Sequence, residues 1–183
     1  MSKEEKNTNK GGRYGLKARD LCQIAVATAI VCVCAWIAFP FGVLPITLQT
    51  FAVSFISALL GFKKSLFSLL AYLLLGAVGA PVFAGFNGGV SHLLSPAGGF
   101  LMGFLCVPFF APFMKKSLLS NILFAFLGVI FCYVVGVVWL LFWTENGLWS
   151  LLSVCVLPFL PFEMIKICLS AFLARRLQDT IKA

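Results

Sequence analysis

Charge is scarce in this sequence, and histidine is scarcer still. Only 11% of the 183 residues are charged, and His92 is the single histidine, whereas a water-soluble domain carries roughly a quarter of its residues as charged groups. Over residues 21–173 the charged side chains are Lys63, Lys64, Lys115, Lys116, Glu145, Glu163 and Lys166. With one histidine, no acidic cluster and no C-x-x-C pair, a metal site is hard to assemble. The G-x-x-x-x-G-K-[ST] pattern is missing, which excludes ATP hydrolysis by a P-loop; GFKKS at 61–65 is a superficial echo. No G-x-S-x-G occurs, and Ser91 and His92 are adjacent, so they cannot form a serine–histidine dyad. The seven cysteines form no C-x-x-C pair and read as small helix-packing residues. Covalent chemistry has no residues to carry it here. The expectation is a protein that is not an enzyme and needs no cofactor.

What the sequence has instead is apolar length. Hydrophobic residues make up 61% of it and aromatic residues 15%, in runs too continuous for a core wrapped in a polar shell. A helix crossing a ~30 Å hydrocarbon layer needs about 20 residues. Six crossings fit, over residues 21–39, 46–62, 65–80, 100–114, 118–143 and 148–173. The fold class expected is therefore an all-α integral membrane protein with six transmembrane helices. A basic tail (1–20) precedes one membrane domain (21–174), and a short tail (175–183) follows it. The apolar run at 21–39 has no A-x-A exit and reads as a retained first helix. The second, third and fourth crossings are short, so tilt or distortion is expected.

Lysine and arginine orient the chain. With the N-terminus in the cytoplasm, the basic tail, Lys63 with Lys64, Lys115 with Lys116, and Arg175, Arg176 and Lys182 all fall on the inner side. The outer loops at 41–45, 81–99 and 144–147 contain no lysine or arginine. That distribution follows the positive-inside rule, supports six crossings with both termini cytoplasmic, and predicts a multi-pass protein of the cytoplasmic membrane. It also accounts for the net charge of +8 through the bilayer surface, without nucleic acid.

Three groups of residues stand out. Glu163 and Lys166 lie in the last crossing, where ionisable groups cost ~2.5–3.5 kcal/mol each and mark functional sites. Their spacing of three puts them on one helix face, and Glu163 is about 18 Å above the inner boundary. Pro158 and Pro161 precede the pair and predict a kink. The glycine-rich outer loop offers ring faces from Phe83 and Phe86, and a donor and an acceptor from Asn87. Thr47 and Gln49, at the outer end of the second crossing, can face the same cavity. Finally, Ala25 with Ala29, and Gly99 with Gly103, form small-xxx-small faces that allow close helix approach. On spacing alone, packing within the chain is the default for both.

Taken in order, PITLQ at 45–49, YLLLGAVGAPVF at 72–83, SPAGGFLMGF at 95–104 and PFEMIK at 161–166 resemble the BioY family. These are the biotin-specific substrate-binding subunits, or S components, of energy-coupling-factor ABC transporters. The likeness runs over about residues 21–173. It implies a six-helix fold whose pocket opens outward under capping loops, with biotin as ligand. It further implies a helix-one A-x-x-x-A face, matched by Ala25 and Ala29, that docks on a transmembrane coupling subunit driven by separate ATPase subunits. Where the family has an aspartate three residues before a lysine, this sequence has Glu163, one methylene longer, with Lys166 kept. Asn87 matches the loop asparagine. The substrate-binding set expected is Gln49, Phe83, Phe86, Asn87, Glu163 and Lys166. Two readings compete: an S component for another small vitamin, and a proton-coupled secondary transporter with Glu163 as the proton carrier.

Overall fold

In the computed structural model, residues 18–39, 45–114, 117–144 and 147–182 are described. Residues 1–17 of the basic tail expected over 1–20, residues 40–44, Lys115, Lys116, Glu145, Asn146 and Ala183 lie outside them; residues 18–20 already belong to the first helix.

The chain is mostly helical. Helix α1 (Ala18–Trp36) leads into a two-residue strand β1 (Ala38–Phe39), which pairs antiparallel with β2 (Ile46–Thr47). Helices α2 (Gln49–Leu60) and α3 (Phe62–Val78) follow almost without a break; Gly61, at φ 76°, turns the chain between them. A glycine-rich segment then holds a 3-10 turn (Ala84–Phe86) and the short helix α4 (Val90–Leu93). Helix α5 (Gly98–Gly103) runs into a 3-10 segment (Phe104–Phe113), then come α6 (Leu118–Leu141), α7 (Leu148–Cys155) and α8 (Leu160–Lys182).

Local chemistry explains the departures from six plain crossings. The second expected crossing loses its first turn to β2. The fourth is α-helical only as far as Gly103, because Pro108 and Pro112 cannot donate the hydrogen bonds of an α-helix and the chain takes 3-10 geometry instead. The sixth is two helices, broken at 156–159 ahead of Pro161, and α8 continues past the expected boundary to Lys182. Two helices, α1 and α6, are individually long and apolar enough to cross a membrane, with mean hydropathies of 1.6 and 2.6.

Packing inverts the arrangement of a soluble domain. Leu74, Val78, Val138, Phe142, Trp149 and Ile165 are exposed, while Thr28, Ser54, Ser57, Ser68, Asn121 and Ser170 are buried. An apolar exterior on this scale suits hydrocarbon rather than water. Inside, polar side chains bond the helices together: the Thr28 hydroxyl donates to the Ser68 carbonyl at 3.0 Å, and the Ser68 hydroxyl to the Ile24 carbonyl at 3.2 Å, joining α1 to α3. Helix α2 is central; nine of its 12 residues are buried, and α8 is its most extensive neighbour.

The two small-residue faces behave oppositely. A Cβ at Gly99 would collide with Trp139, one at Gly103 with the Cys132 backbone, and one at Gly136 with the Phe100 ring. That face is therefore the tight α5–α6 seam within the chain. Ala25 and Ala29, by contrast, are exposed. Gly136→Val is expected to cost ~1–3 kcal/mol by overpacking, read as a lower thermal midpoint in detergent; an unchanged midpoint would show that the seam can relax.

Candidate ligand-binding site

A cavity of about 350 Å³ opens between α2, α5, α6, α8 and the loop over 84–97, a volume within the ~300–1,000 Å³ of small-molecule sites. The proline break ahead of α8 places Glu163 in its first turn, where its backbone N–H bonds the Phe159 carbonyl at 2.9 Å. There the Glu163 side chain forms part of the cavity wall while only 2% exposed.

The carboxylate is held asymmetrically. Lys166 Nζ lies 2.7 Å from Glu163 Oε1, and the Thr50 hydroxyl donates to the same oxygen at 3.1 Å. Lys166 also donates to Thr50 Oγ1 at 3.3 Å, closing a triangle from α2 to α8. Glu163 Oε2 is fully buried and, among the described residues, has no hydrogen bond of good geometry; the Tyr133 hydroxyl lies close enough to the carboxylate to interact with it. A buried acceptor left in that state costs the desolvation of the group, so it marks a place for a donor. Lys166 is not in the cavity wall; it stands behind the carboxylate.

Other polar groups converge on the same space. Gln49 lines it, donating from Nε2 to the Tyr72 hydroxyl at 2.6 Å and accepting at Oε1 from Thr47 at 3.1 Å. Asn87 lines it too, with Nδ2 donating to the Ala84 carbonyl at 2.8 Å. The walls are aromatic: Phe100, Phe104, Tyr133 and Phe159.

Of the expected set, Gln49, Asn87 and Glu163 thus share one cavity, and Lys166 is tied to it through Glu163. Phe83 and Phe86 do not line it. Phe83 is wholly buried beneath Gly76, edge-on to Tyr72 (5.4 Å) and stacked on His92 (5.3 Å). Phe86 is 63% exposed and stacks on Trp36. His92, the single histidine, forms part of the wall, and its partial burial pushes its pKa below the usual histidine value. Tyr133 and Thr50 were missed. A tyrosine inside the most apolar helix was a usable signal, since its hydroxyl needs a polar neighbour; Thr50 gave none, and neither did three phenylalanines among twenty.

An apolar-surfaced helical bundle around a polar-floored cavity defines a membrane solute-binding protein. Comparison with solved structures agrees: a crystal structure of the S-component for biotin from an ECF-type ABC transporter superposes with a TM-score of 0.80 at 30% identity, covering 90% of this chain and 95% of that one. The biotin transporter BioY of Thermotoga maritima is 36% identical over 163 residues, 87% of this chain and 96% of the relative. The probable biotin transporter BioY of Pyrococcus horikoshii is 34% identical, over 89% and 98%. The model of the BioY family matches residues 4–183, and the chain belongs to that family. It is a membrane transport protein and not an enzyme.

Proposed function

We propose that this chain captures biotin at the cavity floored by Glu163 and serves its uptake as the S component of an energy-coupling-factor transporter. The observation that carries this is Glu163 Oε2, a buried acceptor in the cavity wall with no hydrogen bond of good geometry among the described residues. Biotin has a ureido ring with two N–H donors, a carbonyl, an apolar thioether ring and a carboxylate tail. An ureido N–H suits Oε2, and like-charge repulsion keeps the tail away from Glu163, toward the loop over 84–97. Asn87 and Gln49 complete the polar contacts, while Phe100, Phe104, Tyr133 and Phe159 embrace the thioether ring. Lys166 and Thr50 act from behind, fixing Oε1 so that Oε2 stays presented.

Six crossings with both termini in the cytoplasm are the topology we assign, supported by the positive-inside distribution and by the apolar exterior. The unit that binds is the domain over 21–174, set in the cytoplasmic membrane as a multi-pass protein. Ala25 and Ala29, exposed and small, suit close docking by a transmembrane coupling subunit, with ATPase subunits supplying the energy. Capture comes first, and the loaded protein is then reoriented by its partners.

Calorimetric titration of biotin into the purified protein in detergent tests this reading. Saturable one-to-one binding is expected. A folded protein that ignores biotin and binds another vitamin would leave the fold standing and remove the cargo.

A further inference from the structure

The loop that carries Asn87 is held in an unusual way. Phe86 sits at φ 59°, the single non-glycine residue with positive φ among the described residues, directly after Gly85 at φ 70°. Side chains rarely accept this backbone region, and an aromatic residue there is strained unless its surroundings hold it. Its ring is 63% exposed and contributes nothing to the core. What holds it is Trp36, the last residue of α1: the rings stack at 5.2 Å and 25°. Trp36 is itself fixed, because its indole N–H donates to the Pro81 carbonyl at 2.8 Å. One side chain therefore grips both ends of the segment over 81–86.

The next residue is Asn87. Its carbonyl accepts from the Phe83 N–H at 2.9 Å and its amide closes onto Ala84, so the conformation of Phe86 sets where the Asn87 side chain sits in the cavity wall. We propose that Trp36 and Phe86 are positioning residues for Asn87: their stack is a latch that keeps a strained loop closed over the cavity mouth. Its consequence for ligand rests on the biotin-binding reading; the latch itself does not. Trp36 lies seven residues after Ala29, two turns on, so the latch ends the same face of α1 that carries the exposed alanines.

Two measurements on the full-length protein in detergent decide it. Hydrogen exchange of the ligand-free protein reads the Phe83 and Gly89 amides, whose bonds to Asn87 O and Gly76 O hold the loop. Trp36→Ala and Phe86→Ala are each expected to speed exchange at both about five- to ten-fold, the worth of one aromatic stack. Trp36→Phe, which keeps a ring, should recover much of the protection. Biotin dissociation, followed with radiolabelled ligand, is expected to accelerate by a similar factor in each alanine variant and no further in the double variant. Unchanged exchange in Trp36→Ala overturns the latch and leaves Trp36 as an interfacial anchor; additive effects in the double variant overturn the coupling of the two residues. If the wild type binds no biotin while exchange responds as expected, the latch stands and the assigned cargo falls.

Discussion

Glu163→Gln is expected to weaken biotin binding roughly 10- to 100-fold, the ~1.5–3 kcal/mol that separates a charge-assisted hydrogen bond from its loss. Glutamine has the same shape and keeps an oxygen, but it leaves the buried Lys166 ammonium without its counter-ion, so the thermal midpoint in detergent is read beside the affinity. Its amide can also turn its NH2 toward the ligand, which sets donor against donor. Calorimetry at fixed pH reads the result directly. Affinity equal to wild type would falsify the assignment of Oε2 as the ligand acceptor and move the polar end of the ligand toward Asn87 and Gln49.

The second large effect separates binding from support. In Lys166→Met the Glu163 carboxylate, 2% exposed in the wild type, keeps neutral hydroxyl neighbours such as Thr50 but loses its counter-ion. Breaking one side of a buried pair costs ~3–5 kcal/mol, whereas replacing both partners by neutral groups of similar volume is often close to neutral. The single variant should therefore lose much of its thermal stability in detergent, and Glu163→Gln/Lys166→Met should regain most of it. Biotin binding should remain weak in the double variant, because the acceptor is still gone. A Lys166→Met protein as stable as wild type would mean the ion pair does not hold the α2–α8 contact. Recovery of binding in the double variant would give Lys166 and Glu163 no part in recognition.

The helical segments and the buried pairing of Glu163 with Lys166 were legible because both follow from cost. Long apolar runs have one cheap environment, and charges inside them persist only with a purpose. The pairing of Glu163 with Lys166 followed from a spacing of three, and Pro161 announced the break before α8. What could not be read was direction. Phe83, Phe86, Phe100 and Phe104 are alike in sequence, yet two face the cavity and two do not, because a left-handed turn at 85–86 sends Phe86 outward while Phe83 tucks under Gly76. Lys166 was expected to meet the ligand. Helix spacing gave its face but not the fact that Thr50, over a hundred residues earlier in the chain, would hold it behind the carboxylate. The small-residue faces show the same limit: Gly99 with Gly103 and Ala25 with Ala29 have one pattern and opposite exposure, decided by which neighbour the fold supplies.

The proline-punctuated segment after α5 has a geometric consequence. A 3-10 helix advances ~2.0 Å per residue against ~1.5 Å for an α-helix. The sixteen residues Gly98–Phe113, six of them α-helical and ten 3-10, therefore reach about 29 Å, against about 24 Å if all were α-helical, and the hydrocarbon layer is ~30 Å thick. In the six-crossing topology we propose, Pro108 and Pro112 would thus act as a length gauge, stretching a segment several residues too short toward the thickness of the layer with no need to thin the bilayer.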